Sequence, residues 1–194
     1  MRRTVWWAAL AVLIVGNIIL ALIGANSDAL QLSAKERRAG GSTQEYQAQL
    51  DTYLEEEDFL RFREFMEYHK IYTYQDPAWA VYVQIDDAAK CFSRVYTDLA
   101  TAVMPGGEGR EGILEDLAKD LAEFYEVSSA EKTAVAADPE KAEKACAGMR
   151  QQASQWLWVY GDCKPAEAEA LENASAEEIT RWVTSHIHEA GQEE

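Results

Sequence analysis

From Thr4 to Ser27 the chain carries no charged residue, and within it Val5–Ile23 is interrupted only by Gly16 and Asn17. As a helix this apolar run covers roughly 28 Å, close to the ~30 Å hydrocarbon core of a bilayer. It is predicted to be a transmembrane helix, with residues 1–25 as the anchor. Trp6 and Trp7 stand at its amino end, where indole rings favour the headgroup layer, and Arg2 and Arg3 precede them. That arrangement predicts a cytoplasmic amino terminus and an extracytoplasmic bulk, against a counter-signal from Lys35, Arg37 and Arg38 on the far side. A cleavable signal peptide is the alternative, with cuts near Ile23-Gly24-Ala25 or Ser27-Asp28-Ala29, but its apolar core usually runs only about 7–15 residues. Asn17, near the middle of the span, is either a tolerated polar residue or a hydrogen-bonding handle for a second helix, a contact of roughly 0.6–2 kcal/mol.

The chain beyond the anchor must fold from an acidic composition. The 194 residues include 34 acidic and 18 basic side chains, a formal net charge of −16, which disfavours phosphate backbones and anionic lipid surfaces as partners. No nucleic-acid binding is expected. A hydrophobic content of 48% excludes a wholly disordered acidic tail, because such tails lack the apolar surface needed to offset ordering entropy.

Residues 26–41 are polar, carry both signs of charge and end in Gly40-Gly41, as a juxtamembrane linker would. A helical ectodomain is predicted over 42–190, with 191–194 as an acidic tail. Ser42 and Glu45 have capping-box spacing, and Tyr46, Leu50, Tyr53, Leu54, Leu60, Phe65 and Met66 recur at helical intervals, as one long helix or two shorter ones. Asp76-Pro77 reads as a helix start, and Val81, Ile85, Ala88, Phe92, Val95, Leu99 and Val103 trace one face behind it until Pro105-Gly106-Gly107. A third helix from about Arg110 carries Ile113, Leu114, Leu117, Leu121, Phe124 and Tyr125. Ser128 with Glu131 reads as the cap of a short helix. Asp138-Pro139 then opens a long one to Tyr160, with Ala142, Ala145, Met149, Ala153, Trp156, Leu157 and Tyr160 inward. After Gly161-Asp162, Pro165–Glu172 is predicted as a short helix. Ser175 and Glu178 cap a last one bearing Ile179, Trp182, Val183 and Ile187. The two Asp-Pro starts match no common repeat spacing. No convincing two-residue alternation occurs behind the anchor. The fold class is therefore all-α: an N-terminal transmembrane helix followed by a soluble acidic multi-helix bundle.

The three cysteines, Cys91, Cys146 and Cys163, would face an oxidising compartment under this topology. A continuous helix from Cys146 to Tyr160 separates its ends by about 21 Å, and three further residues recover at most about 10 Å, so Cys146 cannot reach Cys163. Cys91 with Cys163 is the better pairing, and three reduced thiols are the alternative. His186 and His188 point about 200° apart on a helix and cannot share one metal, while His69 suits a helix carboxyl end. Glu55-Glu56-Glu57-Asp58 lacks calcium-loop spacing and is predicted to be a solvated helix face. No nucleophile, zinc or phosphate-loop motif occurs, and no cofactor or metal is expected.

Aromatics are the remaining signal: Tyr68, Tyr72, Tyr74, Trp79 and Tyr82 around one junction, and Trp156, Trp158 and Tyr160 at the end of a helix. Core packing is their ordinary role, but Trp158 falls off the predicted buried face, so Trp158, Trp79 and Tyr74 are the candidate interface residues. Together these features predict a single-pass membrane protein whose ectodomain binds a protein with a basic surface, as an accessory or assembly component of an envelope complex. Two alternatives are a membrane-tethered hydrolase of an envelope polymer, using a carboxylate such as Glu123 or Glu126, and a helical small-ligand sensor.

Overall fold

The computed structural model describes residues 43–74, 77–106 and 109–190. The predicted anchor with Trp6, Trp7 and Asn17, the linker, the Ser42 and Asp76 caps and the acidic tail lie outside the described residues. Among those described, no helix is long and apolar enough to cross a membrane. The elements are α1 (Thr43–Glu55), α2 (Phe59–His69), α3 (Ala80–Ala102), α4 (Arg110–Val127), α5 (Ala130–Thr133), α6 (Pro139–Tyr160), α7 (Pro165–Ala170) and α8 (Ala176–His186). Short 3-10 turns at Ile71–Thr73, Pro77–Trp79 and Leu171–Asn173 join them. Extended pairing among the described residues is limited to one antiparallel bridge, Gly161 with Ile187. By their contacts the residues form two units, Met1–Ala48 and Gln49–Glu194. The first contributes Thr43–Ala48 to the start of α1, and the second holds every other described element.

The first stretch is two helices because the acidic run breaks it. Glu57 adopts a left-handed conformation (φ 56°), and the Asp58 carboxylate accepts from Arg61 N at 3.1 Å to cap α2. Glu55 is the exposed last residue of α1, while Glu56–Asp58 is a turn and a cap rather than the helix face expected from its charge, since aspartate competes well for a free amide at a helix start. Asp138 caps α6 in the same way through Lys141 N, and Ser175 and Glu178 form the reciprocal capping box at α8. At α5 the cap is Ser129, one residue beyond the expected Ser128, because α4 runs to Val127 and Ser128 is consumed in ending it.

The core is built around α3. Its buried positions include Val81, Tyr82, Ile85, Asp86, Ala88, Ala89, Cys91, Phe92, Val95 and Leu99, a stripe too wide for contact on one side only. The helix packs on α2, α4 and α6, with alanines allowing close approach. Phe92 meets Phe59 of α2, Phe124 of α4 and Trp156 of α6, with ring centroids 4.6–6.0 Å apart. Phe92 lies against Phe124 while Asp98, further along α3, faces Asp120 and Asp116, so α3 and α4 are antiparallel. Lys141 lies over Tyr82 and Trp156 over Phe92, so α3 and α6 run parallel.

Two glycines mark close approaches. A Cβ on Gly148 would come within 2.8 Å of the buried Phe59 ring. A Cβ on Gly161 would lie 2.5 Å from the Leu157 carbonyl and 3.2 Å from the Trp182 ring, where the chain leaves α6 to bridge with Ile187. Gly161→Ala is expected to cost about 1–3 kcal/mol by chemical denaturation, because the carbonyl it meets is fixed backbone. Unchanged stability would show that the α6–α8 junction can yield.

All three cysteines are free thiols, so the Cys91–Cys163 pairing is not made. Their surroundings give the reason. Cys91 is buried on α3, with its Sγ accepting from Arg94, whereas Cys163 lies in the turn after α6 with its thiol 3.9 Å from the Leu157 carbonyl. Cys146 is buried on α6.

Candidate functional site

Burial pushes the Cys91 thiol up to about 11, against the opposing Arg94 charge, and the Cys146 thiol up to about 12. Protonated buried thiols are poor nucleophiles. Among the described residues no group of three or more histidine, cysteine or carboxylate side chains is gathered to hold a metal ion. His69 ends α2 with its ring 4.3 Å from Phe65, and burial lowers its pKa. The His186 ring is stacked on Trp182 at 4.8 Å, with Nδ1 2.9 Å from the Trp182 carbonyl, and His188 lies beyond the helix.

A cleft of about 350 Å³ opens between the end of α1 and the start of α6, lined by Asp51, Leu54, Glu55, Asp138, Glu140, Lys141, Lys144 and Ala145. Its inner charges are already paired. Asp51 Oδ1 accepts from Lys141 at 2.7 Å and from the Tyr82 hydroxyl at 3.0 Å, and burial followed by the Asp51 charge raises the Tyr82 pKa. A hydrolase of the general acid type needs a carboxyl held protonated inside a cleft. The raised carboxyls lie elsewhere. Burial raises Asp86 despite Lys90 at 2.6 Å, and Asp98 is pushed up to about 6 by burial, then by Asp120 and Asp116. Glu123 and Glu126 stand outside the cleft, exposed, with Arg94 at 2.7 Å and Lys132 at 3.8 Å.

The aromatic candidates separate. Trp79 is only 2% exposed, stacked on Tyr74 at 5.6 Å and beside Tyr82 at 5.8 Å, so it is a core residue and not an interface residue. Its place in the 3-10 turn leading into α3 aims the indole inward. Tyr74 is half-buried beneath it. Trp158 is 47% exposed, as its position off the helix face predicts.

The exposed apolar surface of α6 lies mainly on the opposite side from Trp158. Trp156, Val159 and Tyr160 share one side of its last turn, with Val159 67% and Tyr160 45% exposed. Across from them Tyr96 of α3, 46% exposed, meets the half-buried Trp156 ring at 4.9 Å. These four side chains line the carboxyl-terminal half of the α3–α6 groove. The other half is filled by the protein itself: Phe59 sits against Phe92 and Gly148, and Gln152 donates to the Glu57 carbonyl at 3.1 Å, placing the α1–α2 turn one helical turn before Trp156. Sequence reasoning missed Tyr96 and counted Trp156 and Tyr160 as buried. The available signal was Tyr96 itself, set to one side of the α3 core stripe.

No protein-family model, curated protein or solved structure matches this chain.

Proposed function

We propose that this chain is a single-pass, membrane-anchored protein whose acidic helical domain binds another protein, as an accessory or assembly component of an envelope complex. The observation that carries the reading is the aromatic and aliphatic surface at Tyr96, Trp156, Val159 and Tyr160, left uncovered on a chain of net charge −16. Tyrosine and tryptophan supply large contact area at a small cost in side-chain entropy, and for that reason they concentrate where proteins meet. The uncharged run from Thr4 to Ser27 supports the anchor, and Arg2 and Arg3 support an extracytoplasmic domain. The cleft favours neither the hydrolase nor the sensor reading, since paired charges occupy its inner wall.

The test is purification of the full-length chain from its native membranes in mild detergent, with stoichiometry measured for every copurifying protein. A companion near equimolar ratio through two orthogonal steps is expected. Recovery of the chain alone at every detergent tried would overturn the reading.

A further inference from the structure

We infer that the open half of the α3–α6 groove seats an amphipathic helix of a partner protein, with the basic end of that helix against the Glu55–Glu57 turn. The inference rests on the protein-binding reading and adds the place, the shape and the polarity of the partner.

The shape comes from how the fold fills the other half of the same groove. Two parallel helices present a trough whose natural occupant is a third helix laid into it. In the covered half, the first turn of α2 plays that part, with the Phe59 ring edge-on to Phe92 at 6.0 Å between centroids and filling the space that a Cβ on Gly148 would need. Coverage stops where Gln152 holds the Glu57 carbonyl. The trough then continues past Trp156 to Tyr160, a further two turns of α6, or about 12 Å. An apolar face of roughly two helical turns matches that length, with apolar residues at i, i+3 or i+4 and i+7.

The polarity comes from charge. Along the open half, the outward positions of α3 and α6 beside the aromatic side chains are uncharged: Ser93, Thr97 and Ala100 on one side and Gln155 on the other. At the near end, Glu55, Glu56 and Glu57 are exposed, and none of them takes part in an ion pair among the described residues. At the far end Asp162 and Glu167 both act on the turn at Cys163, with Lys164 between them, so one net negative charge stands there against three at the near end. The field is therefore stronger at the near end, and a partner helix carrying lysine or arginine at a single end is oriented by that difference as well as attracted.

The full-length chain, reconstituted in phosphatidylcholine nanodiscs, is titrated with a synthetic 14-residue helix carrying leucines at i, i+3, i+4 and i+7 and three lysines at one end. A second peptide with glutamates in place of the lysines serves as control. Saturable binding is expected for the lysine peptide, at least about tenfold tighter than for the glutamate peptide. Val159→Ser and Tyr96→Ser are expected to weaken it about tenfold or more, Glu56→Lys several-fold, and Trp158→Ser, on the other side of α6, not at all. All four positions are exposed, so the variants should fold, and an unchanged circular dichroism melt confirms it for each. Equal binding of both peptides, binding of neither, or loss in Trp158→Ser with Val159→Ser unaffected would overturn the inference. So would a dimer by sedimentation that Val159→Ser dissolves, because the occupant would then be a second copy. A native companion that copurifies equally with Val159→Ser and Glu56→Lys would sink this site while leaving the accessory reading intact.

Discussion

Replacing Arg150 by alanine is expected to destabilise the protein by about 3 kcal/mol, the lower end of what removing one partner of a buried ion pair costs. The guanidinium is only 9% exposed and is shared among three elements. Its Nη1 donates to the Ser128 carbonyl at the end of α4, Nη2 meets Glu143 Oε1 at 2.7 Å, and Nε meets Glu172 Oε1 at 2.6 Å in the turn after α7. Glu143 in turn accepts from the Thr133 hydroxyl at 2.7 Å, which brings α5 into the same network. Truncation leaves the Ser128 carbonyl buried without a donor, while the two carboxylates, each 39% exposed, regain some hydration. That partial rehydration keeps the expected cost near the bottom of the range. Arg150→Lys should recover less than half of it, because the three donors of an ammonium share one nitrogen, which cannot come within reach of acceptors now met by three separate guanidinium nitrogens. Urea unfolding followed by far-ultraviolet circular dichroism measures both, and a loss under about 1 kcal/mol in Arg150→Ala would show that the network adds little.

Asp98→Asn is expected to stabilise the protein at pH 7.5 by about 1–2 kcal/mol, with the gain vanishing as the pH falls toward 4. Asp98 of α3 faces Asp120 and Asp116 of α4, with Arg94 as the opposing charge. Its Oδ2 is buried and receives no hydrogen bond, whereas a protonated Asp98 donates to Asp120. Burial and these neighbours push its pKa up to about 6, above the ordinary aspartate value of 3.8. The folded state therefore binds the proton more tightly than the unfolded chain. By linkage, stability from this group rises as pH falls through about 6 and is complete below about 4. Asparagine cannot ionise, so it keeps the neutral arrangement at every pH. The measurement is the difference in unfolding free energy between the two proteins from pH 7.5 to 4.5. A variant whose difference from the native chain does not change with pH would refute the assignment.

Helix positions were legible because their signals are local. Asp138-Pro139 and Ser175 with Glu178 act within one turn, and the apolar stripe of α3 is buried where its spacing put it, as are those of α4 and α8 apart from the half-buried Ile113 and Trp182. The acidic run at Glu55–Asp58 misled because charge density argues for exposure, which is correct, but is silent on helix continuity. There the Asp58 cap prevailed. Arg150 was unreadable for the opposite reason: a charged residue beside Met149 reads as the edge of a solvated face unless its three distant acceptors are known.

The groove and the cysteines mark the same boundary. Residue order alone determined an all-α bundle behind a long apolar segment, an acidic composition, the starts of α6 and α8, and the exposure of Trp158, since each depends on composition or on neighbours a few positions away. Only the tertiary structure decided that Trp79 is enclosed, that Cys91 and Cys163 have different surroundings, and that α2 covers the α3–α6 groove as far as Gln152 and no further. Those outcomes depend on which helices meet and how far each extends along the other, and the packing of side chains remote in sequence sets both.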